Sequence, residues 1–385
     1  MANVHDYLRW RGDLSFAERP FNDVDNIVLS ALAYLDFSGV VPDEVQGGSV
    51  SVAEACHRLI DLGDGDVAPF VRSFARVDTT LVELVAESRR FGDASLRAYV
   101  DVMDEGVSEQ FCAMEALLPS VGSYVAFRGT DSSLVGWREN FMLSFEVTEA
   151  QREAAGYLRR ALRRAELEGM PVRVGGHSKG GNLAEFAAQS CSEGERERIV
   201  RVYSNDGPGM APEVVPCDGR ALLAGKLRRI VPSYSVVGML FAQDGDPCTV
   251  VASNSYGIGQ HDLTTWQVLF DGVEEAEGLQ KECLIVHEAI AKWTKGVSLD
   301  ERSRVVNEVF DALEAGGATS FDEIAASPEG LQQVVRALRN TDERTRDVAL
   351  ALVQGTLDSS VDAARKAARK ALDDATRRLF GAPEE

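Results

Sequence analysis

Cysteine pairs, basic charge and long apolar runs are what this sequence lacks. Its six cysteines (Cys56, Cys112, Cys191, Cys217, Cys248 and Cys283) are scattered with no C-x-x-C pair. That pattern excludes the spacings of a zinc ribbon and of a disulfide framework, and it predicts reduced, mostly buried thiols, with neither metal nor cofactor. No stretch of about 18 apolar residues occurs, so no membrane-crossing helix is predicted. The opening MANVHDYLRWRGDLSFAERPFNDVDN has no apolar core of signal-peptide length, and the expectation is a cytoplasmic protein. Lysine and arginine total 40 against 61 aspartates and glutamates, a net charge of −21. Phosphate binding needs a basic face, which excludes nucleic acid as the main partner. Adsorption to anionic lipid is disfavoured too, except through a local basic helix.

What is present is enough apolar material, 45% of 385 residues, for one large core or a core with an appendage. From residue 1 to about 105 the pattern is mostly helical, with Ile27, Leu29, Leu32 and Leu35 on one face. Strand-like runs then appear at QFCAMEALLP, SYVAFRGT, VRVGG, RIVRVYSND, LRRIVPS and PCTVVASN. Helical segments such as EAQREAAGYLRRALRRAELEG and NLAEFAAQSCSEGE lie between several of them, which predicts an α/β protein with parallel crossovers. After about residue 296 only helical signals remain, including VDAARKAARKALDDATRRLF. Residues 1–296 are therefore expected to form the α/β domain, its N-terminal helices included, and 297–385 a helical appendage. The Ala-rich helix of that appendage packs on its own protein in the simplest case, and peripheral membrane contact is its alternative use.

The stretch VRVGGHSKGGNLAEFAA, residues 172–188, places a lone serine between glycines where a strand-like run gives way to a helical one. A tight strand-to-helix turn strains its central residue, and flanking glycines remove the Cβ atoms that would collide there. That is a nucleophile elbow, with Ser178 at its tip; a glycine-rich turn with a capping serine is the plainer alternative. A serine nucleophile needs a base, and an acid to orient the base. Of five histidines, only His261 and His287 follow Ser178 in the chain. His287 sits among apolar residues in LIVHEAIAKW, whereas His261 sits in the polar loop SNSYGIGQHDLTTW at the end of a late strand and is preferred. For the acid the ranking is Asp206, in the turn Asp-Gly-Pro-Gly after IVRVYSN, then Asp246, then Asp244; Asp262 is disfavoured because a neighbour rarely folds back onto its own histidine. Oxyanion donors are expected from the N–H of Lys179 and from Thr130, through backbone and hydroxyl together.

The segments VAFRGTD…GW and VGGHSKGGNLA together resemble the class 3 lipases, an α/β-hydrolase family with an F-R-G-[ST] oxyanion segment and a G-H-S-x-G-G elbow. More closely, the chain to about residue 295 resembles the bacterial Mbeg-like family of predicted hydrolases, through FNDVDN, AFRGTDSSLVGWRENF, HSKGGNLA, NDGPG, VPSYSVVGML and QHDLTTW. The resemblance implies an α/β-hydrolase fold with a mostly parallel central sheet, Ser178 as nucleophile, Thr130 as oxyanion residue and His261 as base. The acid does not carry over: class 3 lipases place an aspartate near a Val-Pro step, and RRIVPSYSVVG has none. Either Asp206 substitutes from the preceding strand's loop or the triad is incomplete. Lys179 stands where the family has an apolar residue, and would either bring positive charge to the mouth of the site or point to solvent. The function implied is a serine esterase or lipase acting on a small or lipid-like acyl ester. A non-catalytic scaffold that binds partners, and an amide or thioester hydrolase using the same residues, are the alternatives.

Overall fold

The computed structural model describes residues 1–350 apart from 73–74, 105–108, 131–133, 212, 216–220, 222, 241–247, 282, 285–296, 320–322, 325–327, 342–345 and 347–349. The Ala-rich segment expected to pack or to touch membrane lies outside the described residues. Through the centre runs an eight-stranded sheet whose strands lie side by side in chain order. Its antiparallel half is β1 (Val50–Ser51), β2 (Ser95–Asp104), β3 (Glu109–Leu118) and β4 (Gly122–Phe127). From β4 onward the pairing is parallel, through β5 (Val172–His177), β6 (Ile199–Asn205), β7 (Leu227–Pro232) and β8 (Cys248–Val251).

Parallel neighbours need crossovers, and for the first two of them helices supply these. Between β4 and β5 come α5 (Leu134–Met142) and α6 (Glu149–Leu167); between β5 and β6 come α7 (Lys179–Gln189) and α8 (Glu193–Arg198). The N-terminal helices α1 (Val4–Arg11), α2 (Asp23–Leu32), α3 (Val52–Leu62) and α4 (Thr79–Glu87) cover the opposite face. Side chains alternate across a strand, so each strand feeds two cores. In β4, Val125 and Phe127 join α6 and α7, whereas Tyr124 and Ala126 join the N-terminal helices. Beyond the sheet, α9 (Leu299–Glu314) and α10 (Pro328–Ala337) place Val305, Phe310 and Leu331 in the same apolar cluster as α6 and α7.

One expectation fails here. Residues 95–104 read as helix and form β2. The register shifts between Arg97 and Val100, with Ala98 at φ +54°, which is a β-bulge. The bulge puts Leu96 and Tyr99 in one core and Ala98 in the other, so apolar residues three apart share a face, which is the spacing of a helix.

The segment FNDVDN becomes the start of α2. Asn22 accepts the N–H groups of Val24 and Asp25 at 2.8 and 3.3 Å, and Asp25 returns the contact by accepting the Asn22 N–H at 2.9 Å, a capping box. Asp25 also pairs bidentately with Arg90, at 2.6 Å on each oxygen, and both side chains are fully buried. The remaining guanidinium N–H groups donate to the carbonyls of Leu14, Arg19 and Pro20, each at 3.1 Å. All five donors are thereby used, which is what makes a buried guanidinium tolerable. Arg90→Met would strand the Asp25 charge and three carbonyls, so a loss of about 3–5 kcal/mol is expected in urea unfolding. A loss below about 1 kcal/mol, the scale of an exposed pair, would contradict this account.

Candidate active site

At the end of β5 the chain turns directly into α7, and the residue at the turn is Ser178, with φ +56° and ψ −126°. A non-glycine residue holds such angles only when its surroundings leave no alternative. Crowding here is severe: a Cβ on Gly180 would lie 2.1 Å from the Phe127 carbonyl oxygen, and one on Gly176 would lie 2.5 Å from it. Glycine at both places lets strand, turn and helix approach. The Ser178 N–H donates to the Asn205 carbonyl at 2.9 Å, and the Asn205 amide donates to the Gly176 carbonyl at 3.1 Å. Asn205 is fixed in turn by a reciprocal pair with Asn26 of α2, at 2.8 and 3.0 Å.

Asp206 follows β6 and, like Ser178, lies at positive φ, +47°. Its N–H donates to the Ile230 carbonyl of β7 at 2.7 Å, which turns the carboxylate off the carboxyl edge of the sheet. Oδ2 lies 2.6 Å from Nδ1 of His261, and Oδ1 accepts the Gly238 N–H at 3.0 Å and the Ser235 hydroxyl. Ser235 and Gly238 belong to VPSYSVVG, which runs from the end of β7 and supplies two donors to this carboxylate. Asp262 accepts from Thr264 at 3.0 and 2.8 Å and from the Arg76 N–H at 3.2 Å, so it caps the turn after His261 and does not meet the imidazole. Burial raises its pKa. Asp244, Asp246 and His287 lie outside the described residues.

The oxyanion candidates need two corrections. Thr130 is buried, and its hydroxyl donates its one proton to the Asn140 side chain at 3.0 Å, so that hydroxyl is not a second donor beside the backbone N–H. Lys179 neither charges the mouth of the site nor reaches solvent. It is 1% exposed, and its Nζ meets the Glu139 carboxylate of α5 at 2.6 Å and the Gln110 carbonyl at 2.5 Å. Its N–H opens α7, in the first turn, where helix N–H groups have no carbonyl of their own helix to meet.

His177 was not singled out in the sequence, and it sits at the centre of the arrangement. Its Nδ1 lies 2.7 Å from the Tyr34 hydroxyl, its Nε2 2.7 Å from the His261 carbonyl, and its ring centre 4.5 Å from that of His261. Burial, and then the proximity of His261, hold its pKa well below the usual imidazole range. Its position directly before the elbow serine was the one available signal. Trp137 of α5 stands 6.1 Å from His261, ring to ring, and Ser178 and His261 are each 4% exposed.

A half-parallel sheet, an elbow after its fifth strand and an acid and a histidine on later loops define an α/β-hydrolase fold. A model of the Mbeg1-like family matches residues 85–311, and the chain belongs to that family. No curated protein matches the sequence. Among solved structures, the Rhizomucor miehei lipase propeptide complex is similar with 16% identity and a TM-score of 0.34, over 66% of this chain and 72% of that one. The Lip2 lipase from Yarrowia lipolytica is similar with 13% identity and a TM-score of 0.34, over 63% of this chain and 80% of that one.

A histidine held neutral in the fold has a consequence for stability. Below about pH 6.5 the unfolded chain takes up a proton on this ring that the folded chain refuses, so stability is intact above that pH and falls beneath it. In His177→Gln this loss is removed, and the stability gap between wild type and variant should narrow on acidification by up to about 1.4 kcal/mol per pH unit. Parallel unfolding curves from pH 7 to 5 would contradict a neutral His177.

Proposed function

We propose that the protein is a serine hydrolase that cleaves a carboxylic ester through an acyl-enzyme on Ser178. The observation that carries this reading is the buried 2.6 Å contact between Asp206 and Nδ1 of His261, on loops beside an elbow strained at its serine. A carboxylate on Nδ1 fixes the tautomer in which Nε2 is the basic nitrogen, and it stabilises the imidazolium that forms when Nε2 takes a proton. Ser178 Oγ attacks the ester carbonyl carbon as its proton passes to His261. The oxyanion is held by the N–H groups of Lys179 and Thr130, with the Glu139 and Asn140 contacts keeping both residues in place. The imidazolium then protonates the leaving alcohol, and water attacks the acyl-enzyme by the same route to release the acid.

The substrate in this reading is a small or lipid-like acyl ester, without a cofactor. Free, buried thiols at Cys56, Cys112, Cys191 and Cys283 favour a reducing compartment such as the cytoplasm. Two other readings keep a foothold. Amide or thioester cleavage would use every one of these residues in the same roles. A non-catalytic scaffold is favoured by the 4% exposure of Ser178 and His261, since little of either reaches solvent.

A fluorophosphonate probe should label the intact protein at Ser178 and leave Ser178→Ala unlabelled; mass spectrometry of the adduct decides. Labelling of another serine, or of none in folded protein, would move the assignment to the scaffold. Asp206→Asn keeps the shape and loses the tautomer control, so kcat on short p-nitrophenyl esters should fall by about 10⁴, the drop seen for that change in a serine protease triad. A drop under tenfold would remove Asp206 from the machinery.

A further inference from the structure

We propose that His177 is a positioning residue for the chemistry at Ser178: its ring, clamped between the Tyr34 hydroxyl and the His261 main-chain carbonyl, holds the loop that presents the His261 imidazole. The proposal rests on the hydrolase reading for its kinetic part only, because the clamp itself can be observed without turnover.

A carbonyl oxygen only accepts, so the 2.7 Å contact at Nε2 requires the proton to sit on Nε2 of His177. In a neutral ring Nδ1 is then an acceptor, and the Tyr34 hydroxyl donates into it at 2.7 Å. Both ring nitrogens are used and only one tautomer fits. The clamp spans three parts of the fold: Tyr34 just past the end of α2, His177 as the last residue of β5, and the short turn Gly257–His261. The next carbonyl back, that of Gln260, accepts from the buried Trp266 indole at 2.7 Å. Two successive peptide carbonyls of the turn are thus pinned by ring N–H donors. The His261 carbonyl belongs to a residue 4% exposed, and without the imidazole it would lose its donor where water has little access.

Position is set on a second side by packing. The His177 and His261 rings lie with centres 4.5 Å apart and planes at 39°, so one ring forms a wall for the other. Space for the Tyr34 hydroxyl depends on Gly129, directly before Thr130, where a Cβ would lie 2.1 Å from that oxygen. The same hydroxyl therefore lies between the histidine clamp and the loop that carries Thr130. Neutrality matters as well, because a proton on His177 would place a cation beside the ring that must take up the serine proton.

The test compares His177→Gln, whose amide N–H can still reach the His261 carbonyl, with His177→Met, which fills similar space and donates nothing. In protein labelled with ¹⁵N-histidine, the low-field proton of His261 Nδ1, assigned by its loss in His261→Ala, should persist in wild type and His177→Gln and broaden or vanish in His177→Met. On short p-nitrophenyl esters, His177→Met should lose about 100-fold in kcat with KM changed less than about threefold, the cost of an ångström-scale misplacement, and His177→Gln should stay within about tenfold of wild type. An unchanged low-field proton in His177→Met, or equal kcat losses in the two variants, overturns the proposal. Should His177→Met not fold, Tyr34→Phe removes the hydroxyl that donates to Nδ1 and keeps the ring, and a shifted His261 resonance with about tenfold lower kcat is expected; no change in either overturns the clamp. A wild type that shows the resonance effects and fails to react with fluorophosphonate sinks the hydrolase reading and leaves the clamp standing.

Discussion

Everything at this site follows from the demand that a serine be held at φ +56° between a strand and a helix. Such a residue is not at rest, and its neighbours must make every relaxed alternative worse. They do so by contact on all sides: β4 presses on the turn through the Phe127 carbonyl, β6 fixes its N–H through Asn205, and α2 fixes Asn205 through Asn26. The parallel half of the sheet supplies the carboxyl edge from which Ser178, Asp206 and the His261 loop all emerge, and the antiparallel half widens the platform on which α2 lies.

The elbow was legible because its physics is local. Two glycines around a serine, with strand residues before and helix residues after, is a statement about sterics that needs no knowledge of the rest of the chain. His261 was legible by elimination, since histidine is scarce. The pairing with Asp206 was a ranking, and the structure brings the two together because the positive φ of Asp206 and the donors of Ser235 and Gly238 aim its carboxylate inward. Those donors come from the segment that follows β7, so a stretch with no acid of its own still helps to build the site.

What was not legible depends on contacts across the chain. The bulge in β2 gave a strand the spacing of a helix, and pattern alone had no means to separate the two. Lys179 looked like a surface charge because its partner Glu139 lies forty residues earlier on α5, and a buried ion pair leaves no mark on either side's local sequence. His177 precedes Ser178 in the chain and so fell outside the choice of base, and its two partners, Tyr34 just past α2 and the loop it supports, are distant in sequence. The same helix α5 reaches past the site to α9, through Arg138 with Asp311 and Glu314 and through Phe141 against Phe310. The residues after 297 thus meet the wall that carries Glu139, Asn140 and Trp137.

The distances along the chain between these partners set an order of assembly. Ser178, Asp206 and His261 lie within 83 residues of one another, so the parallel strands can bring them together by closing modest loops. Tyr34 meets His177 across 143 residues, and Asn26 meets Asn205 across 179. The apolar surface of α2 is therefore made long before its binding place exists. At a synthesis rate of about 5–20 residues per second, that wait is roughly 10 to 35 seconds. Throughout it the partners made so far for Val24, Ile27, Val28 and Leu32 are those of α1, α3, α4 and the antiparallel strands, and the helical segment that leads the sheet in sequence completes the site last.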